Sequence, residues 1–407
     1  MTDSASHILI SFCNVTAGAP SLAIVDIDGG GVQVLRVPGA LAAEDARGIA
    51  LADPYIFVTT GRPRFKGRAS RDSTGRSHLF VLDRHDLALV SSHVCEHVVD
   101  AHSLRVGDDH VEIVSTGSDE VVRLRLSGPH VIAEEVVWRP DPAGPRADLH
   151  HLNAICSWRN DVVVSGFGRK TDRLWSSAAD GFIACLGSGE RLATGIGHPH
   201  SVVDLDGTLA YCESSTGTVR LLGREEVGWV PGYARGICRV GDRLFVGASK
   251  GRRFSNSTGV LTNRADPGSP TGHCSLVRLR IDTLTTDKVI DLDLLSWEIY
   301  DLLAVSEVEN WPLVDEVEWR DSFIVGVRAE YEERDQVLSW LHTEVGARDS
   351  EVTRLHQEVA ERDRIVEWLH GEVAERDRIV KSLQREVAAR DSVIEELRAS
   401  QRRQTPE

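Results

Sequence analysis

One four-residue pattern recurs six times in the first 305 residues, and it constrains the fold more than any other feature of the chain. Each copy runs from any residue to a polar one, then a small one (Asp in the last copy), then an aliphatic one. The copies are Ala46-Arg47-Gly48-Ile49, Ala101-His102-Ser103-Leu104, Leu152-Asn153-Ala154-Ile155, Pro199-His200-Ser201-Val202, Ala234-Arg235-Gly236-Ile237 and Ile299-Tyr300-Asp301-Leu302. Five of them are followed by a turn and a second β-branched run ending in small polar residues: Thr59-Thr60-Gly61, Ser115-Thr116-Gly117, Ser165-Gly166, Glu213-Ser214 and Ala248-Ser249-Lys250. Alternating runs bounded by Gly/Asp turns are strands joined by tight turns.

The polar positions are roughly 35 to 65 residues apart, room for a four-stranded unit with variable loops. The sixth copy lacks a second strand of its own, and the N-terminal run HILISFCN, with Ser11 and Asn14 at its end, supplies one. The fold class predicted is an all-β six-bladed β-propeller over residues 1–305, its last blade completed by the N-terminus, followed by a linker at 306–330 and a long α-helical coiled coil at 331–400. Closure of that kind pairs sheet edges that would otherwise aggregate. A β-sandwich gives no reason for six copies of one motif.

In a propeller the first strand of each blade lines the axis, so the polar positions converge. The predicted ring is Arg47, His102, Asn153, His200, Arg235 and Tyr300, with Asp301 beside it and His150, His151 and His198 just upstream. Any one of these residues has a bland explanation, because channel-lining polar groups often bond only backbone carbonyls and one another. As a set they suggest a site. Two Arg and two His on one axis create a positive field that Asp301 and Glu298 neutralise in part and a bound anion would complete, since planar Arg forks suit carboxylate or phosphate. The ligand-binding candidates are therefore Arg47, Asn153, Arg235, Tyr300 and Asp301. His102 and His200 are the catalytic candidates and admit two readings. With His151 or His198 as a third ligand they would hold a divalent metal (zinc, iron or calcium), the first-choice set being His102, His151 and His200. Without a metal they would work as acid and base on a bound sugar or acid.

Other chemistry is excluded or weak. The net charge is −16, from 46 basic and 62 acidic residues, which disfavours nucleic acid or an anionic membrane as the main partner. No apolar stretch is long enough to span a bilayer. The seven cysteines are odd in number and form no CxxC pair, which argues against a disulfide scaffold or a Cys-based zinc site; with a start unlike a signal peptide, they make the cytoplasm the expected compartment. There is no Walker A loop, and Gly166-Phe167-Gly168 lacks a strand-to-helix context. Two basic loops, 62–76 and 250–273, would make one channel mouth locally basic if they share a face.

From Tyr331 the chain follows a strict heptad. Positions a are Tyr331, Leu338, Val345, Val352, Val359, Val366, Val373, Val380, Val387 and Ile394, while positions d alternate between Arg and Leu in a 14-residue repeat. β-Branched a with Leu at d favours a parallel two-stranded coil, hence a homodimer, with Asp at the following e position as the partner expected for each d-position Arg. The rod would be roughly 100 Å long. The linker is expected to dock through Trp311, Leu313 and Trp319, with the helix beginning near Asp315. Such 14-residue repeats look like those appended to bacterial enzymes of surface-polysaccharide assembly.

The Pro199-His200-Ser201 motif, the ARGI and VGASK runs within 234–250 and the YDL of 300–302 resemble an uncharacterised bacterial β-propeller family. More distantly, the architecture is similar to gluconolactonase-type hydrolases, which hold a divalent metal with Glu, Asn and Asp, and to zinc-dependent amidating lyases, which use three channel histidines. The resemblance implies a propeller and, through its distant members, a metal-dependent hydrolase, lyase or isomerase. Two functions stand side by side. The propeller either binds and transforms a small anionic compound at its mouth, such as a carboxylated or phosphorylated sugar, or serves as a non-enzymatic scaffold that organises partner enzymes of glycan or metabolite assembly through propeller and coiled coil.

Overall fold

The computed structural model describes residues 5–13, 19–42, 44–63, 76–171, 175–250 and 272–404; Asn14 lies outside them. The chain divides into two compact units, Met1–Glu330 and Tyr331–Glu407. In the first, the described strands form six four-stranded antiparallel sheets, the blades of a β-propeller. The inner strands are Glu44–Ala52, Ala101–Val106, Leu152–Trp158, Pro199–Leu205, Tyr233–Val240 and Ile299–Val305. The sixth blade is closed as the repeat count requires: Ile299–Val305 pairs with the N-terminal strand His7–Phe12, which is followed outward by Leu22–Asp26 and Val32–Val34.

The recurrent pattern has a local cause that composition alone does not suggest. In each of the six inner strands the register slips by one residue at the polar–small pair, so two residues oppose one on the second strand. This is a β-bulge, which bends the strand and re-aims a side chain. Strict alternation would send the polar residue into a layer between blades. The bulge diverts it and restores the phase, so the aliphatic residue (Ile49, Leu104, Ile155, Val202, Ile237, Leu302) is buried between sheets. The small residue is needed at the bend. Gly236 has φ +69°, and a Cβ on Gly48 would come within 2.9 Å of backbone atoms of Ser103 and Leu104 in the next inner strand.

The hydroxyls at the ends of the second strands are latches between blades. Ser11 donates to the carbonyl of Arg47, Thr116 to Leu152, Ser165 to Pro199, Ser214 to Ala234 and Ser249 to Ile299, at 2.5 to 3.5 Å. Four of these carbonyls belong to the residue just before the bulged polar one. At the remaining junction the equivalent carbonyl, Ala101, accepts from Arg47 Nη1 at 3.2 Å, and the Ala101 N–H donates to Ser77.

After the last inner strand the chain stays on the propeller. Leu313 bridges to Leu35, with hydrogen bonds from Arg36 to Pro312 and from Val314 to Val34, so this segment covers the outer edge of blade six. Trp311 and Trp319 are buried against blade six and its neighbours, and Trp311 donates its indole N–H to the Arg84 carbonyl. Asp315 then caps a helix, accepting the N–H groups of Val317 and Glu318. That helix, Glu316–Gln404, is unbroken and therefore begins well inside the expected linker.

Beyond residue 330 the helix carries its apolar a and d positions exposed, Leu338, Leu341, Val345, Val352, Val366, Val380 and Leu397 among them. Within the single chain, the d-position residues Arg348 and Arg390 reach back to Glu344 and Glu386, because residues four apart share a helix face and adjacent ones do not. No helix among the described residues is long and apolar enough to cross a membrane.

Candidate functional site

All six bulged polar residues lie at the starts of their inner strands, hence at one end of the propeller axis, and all are at least nine-tenths buried. They belong to a circuit of side-chain contacts that closes around the axis. His102 packs edge-on against Tyr300 (ring centroids 5.4 Å apart), and the Arg235 guanidinium lies 5.5 Å from the Tyr300 ring and 5.1 Å from Tyr233. Tyr233 meets His200 at 5.3 Å, His200 meets Phe167 at 5.0 Å, Phe167 meets His151 at 4.6 Å, and His151 returns to His102 at 5.1 Å. Arg47 sits 5.5 Å from Tyr300, on the blade-one side.

Glu298 was expected near the ring, but several other members were not legible as site residues. Asp100 is 3.0 Å from Arg47, and Glu298 is 3.4 Å from Arg235 and accepts from the Cys13 thiol. Phe167 and Trp175 pack on His151, and Tyr233 bonds His198. Two expectations change as a result. The arginines do not leave an uncompensated positive field, because each has its own carboxylate, Asp100 for Arg47 and the buried Glu298 for Arg235. Asp301 does not neutralise them either: its oxygens accept the backbone N–H groups of Leu302 and Ile49, tying the bulge of blade six to blade one. Burial there raises its carboxyl to about 7.

Gly61, at the end of a second strand, is part of the site. A Cβ on it would fall 2.2 Å from Arg47 Nε, so the guanidinium occupies the space that the missing side chain leaves.

Hydrogen-bond partners determine the histidine tautomers. Asn153 donates its amide to the His151 carbonyl, so its oxygen faces His102 Nδ1 at 2.8 Å and that nitrogen carries the proton. His198 uses both nitrogens, donating Nε2–H to the Trp175 carbonyl and accepting from the Tyr233 hydroxyl. His151 Nδ1 bonds Asp148. Burial keeps His102, His198 and His200 neutral: His102 is pushed down to about 3, with Arg47 reinforcing and Asp100 opposing, and His198 to about 4. His200 is pushed well below its usual value by burial and by Arg235.

Among the described residues, four buried polar atoms of the circuit have no partner, Arg47 Nε, Arg235 Nε, Tyr300 Oη and His200 Nε2, and Trp175 Nε1 beside the circuit is a fifth. Buried polar groups are nearly always satisfied, so such a cluster calls for an explanation. Of the expected ligands, His151 and His200 each pack on Phe167 and His151 packs on His102, and no group of three or more His, Cys, Asp or Glu among the described residues is placed to hold an ion. The basic loops at 62–76 and 250–273 fall for the most part outside the described residues.

Six blades with a bulged polar residue from every inner strand gathered at one end of the axis define the class: a six-bladed β-propeller with a polar axial cluster. Residues 80–313 match the family model described as Domain of unknown function (DUF4915), and the chain belongs to that family. No curated protein matches the sequence. Among solved structures the chain is similar to one in the nidogen/laminin complex (11% identity, TM-score 0.49, covering 74% of this chain and 99% of that one). It is also similar to a protein of unknown function from Bacteroides caccae (11%, 0.47, 74% and 98%) and to the periplasmic gluconolactonase of Pseudomonas aeruginosa (13%, 0.44, 74% and 99%). Nothing in the functional reading rests on these three likenesses.

Proposed function

We propose that the propeller binds a small, oxygen-rich anion at the axial mouth, a carboxylated or phosphorylated sugar or related metabolite, held by Arg47 and Arg235 with Tyr300 between them. The observation that supports it is the set of three buried donors without partners among the described residues, Arg47 Nε, Arg235 Nε and Tyr300 Oη, arranged around one aromatic ring. An oxyanion satisfies several donors at once, and charge-assisted bonds to Arg are the strong kind. His102 and Asn153 form the adjoining wall. Hydrolysis, elimination or isomerisation is the chemistry such a mouth suits, with His200 as the proton acceptor. The test is calorimetric titration of the full chain with inorganic phosphate and small carboxylates. Tyr300→Phe keeps the ring and removes only the hydroxyl, so binding about tenfold weaker supports the reading. Undiminished binding in Tyr300→Phe, or none in the wild type, refutes it.

A second reading concerns the helix. We infer that residues 331–400 pair with a second copy as a parallel coiled coil, through which the protein organises partner enzymes. The exposed a and d stripe supports this, since ten heptads of apolar residues in water are unfavourable for a lone helix. Sedimentation of the full chain beside one ending at residue 330 tests it: a dimer that becomes a monomer on truncation is expected, and equal masses refute the pairing.

A further inference from the structure

The polarity of the unpartnered atoms narrows the ligand, given the anion-site reading on which this inference rests. His200 Nδ1 lies 3.2 Å from the His198 carbonyl oxygen and 2.8 Å from Ser214 Oγ. A carbonyl only accepts, so Nδ1 carries the ring proton. Ser214 Oγ gives its own hydrogen to the Ala234 carbonyl at 2.6 Å, so it too accepts from Nδ1. The latch between blades four and five therefore also sets the tautomer of His200. Nε2 is left as a lone pair, in a residue only 3% exposed, with no donor among the described residues to meet it.

The other three unpartnered atoms of the circuit, Arg47 Nε, Arg235 Nε and Tyr300 Oη, all donate. A bare carboxylate or a phosphate-ester dianion satisfies the donors and leaves His200 Nε2 facing a second acceptor. The missing group is a donor on the ligand itself. An ammonium there would lie close to Arg235, whose charge His200 already feels; a hydroxyl donates without that repulsion. We propose that the site takes a hydroxy acid, its anionic oxygens on Tyr300 and the two arginines and its hydroxyl donating to His200 Nε2. His200 then acts as the specificity determinant, held in the accepting tautomer by Ser214 and the His198 carbonyl.

The experiment is calorimetric titration of the full chain with pairs that differ only in hydroxyls, tartrate against succinate and glycerate against propionate, with inorganic phosphate as a further oxyanion and sulfate, which carries no proton at neutral pH, as the anion-only probe. The hydroxylated member is expected to bind at least about tenfold more tightly, one hydrogen bond's worth of discrimination. In His200→Leu the two members should bind alike, while His200→Gln, whose amide oxygen also accepts, should keep part of the preference. If His200→Leu does not fold, the ratio in His200→Gln decides, an undiminished preference counting against His200. Equal affinities within each wild-type pair overturn the hydroxyl inference and leave the anion site standing. Failure of every probe, phosphate included, overturns the anion site and this inference with it. A preference that survives in His200→Leu overturns the assignment to His200.

Discussion

Gly61→Ala should strike at Arg47, and the structure sets its size. The added Cβ would lie 2.2 Å from Arg47 Nε, 2.3 Å from Cζ and 2.4 Å from Nη2. Ordinary contact between such atoms begins near about 3.4 Å, so the guanidinium must retreat by about 1 Å. It has little freedom to do so. Asp100 holds it at 3.0 Å and the Ala101 carbonyl at 3.2 Å, and it packs on Tyr300. Loss of a charge-assisted bond costs about 1.5 to 3 kcal/mol, and stranding Asp100 altogether would raise that to about 3 to 5. Gly61 does not adopt the left-handed backbone conformation, so alanine adds no φ strain and the clash is isolated. Urea unfolding of Gly61→Ala, Arg47→Met and the double variant forms a thermodynamic cycle. Gly61→Ala is expected to cost about 2 to 3 kcal/mol in the wild type and close to nothing in the Arg47→Met background, a coupling of about 2 kcal/mol. A cost below about 0.5 kcal/mol, or the same cost in both backgrounds, would refute the claim that Gly61 is small because Arg47 fills its place.

The latches should contribute separately: Thr116→Val and Ser249→Ala are each expected to lower the unfolding free energy by about 1 kcal/mol and to add within about 0.5, being on non-adjacent junctions. Stability should fall on acidification below pH 6.5, the ordinary imidazole value. Below that the unfolded chain takes up protons that His102 and His198, at about 3 and about 4, refuse in the fold. Asp301 runs the other way: raised to about 7, it favours the fold fully below about pH 4, and that contribution drains away as the pH rises through 7. Asp301→Asn should therefore remove a contribution that falls by about 0.7 kcal/mol between pH 6.5 and 7.5, read as the difference between wild type and variant when both are denatured across pH; a difference that does not change with pH would count against a neutral Asp301. Trp311→Ala and Trp319→Ala should each cost about 3 kcal/mol or more in the propeller's own unfolding transition, since both are buried against blade six or its neighbours. Unaltered propeller transitions would show that this segment only connects.

The number of blades, their closure by the N-terminal strand and the six polar positions at one end of the axis were all legible in the amino-acid sequence. The reason is that a β-bulge is a local event. Two residues doing the work of one break the alternation of a strand at a readable place, and six breaks with the same polar–small signature declare six equivalent strands. The heptad of the tail is local in the same sense. Tertiary structure alone decided what those polar residues do. Asp100, Cys13, Phe167, Trp175 and Tyr233 come to the axis from loops and strand ends with no shared pattern. Asp301 looked like a ring member until its carboxyl was seen on two backbone N–H groups, one of them in blade one. The tautomer of His200 depends on a serine fourteen positions later that serves a junction between blades. Such contacts join residues far apart in the chain, and their geometry follows from how the blades pack around the axis, which no window of sequence contains.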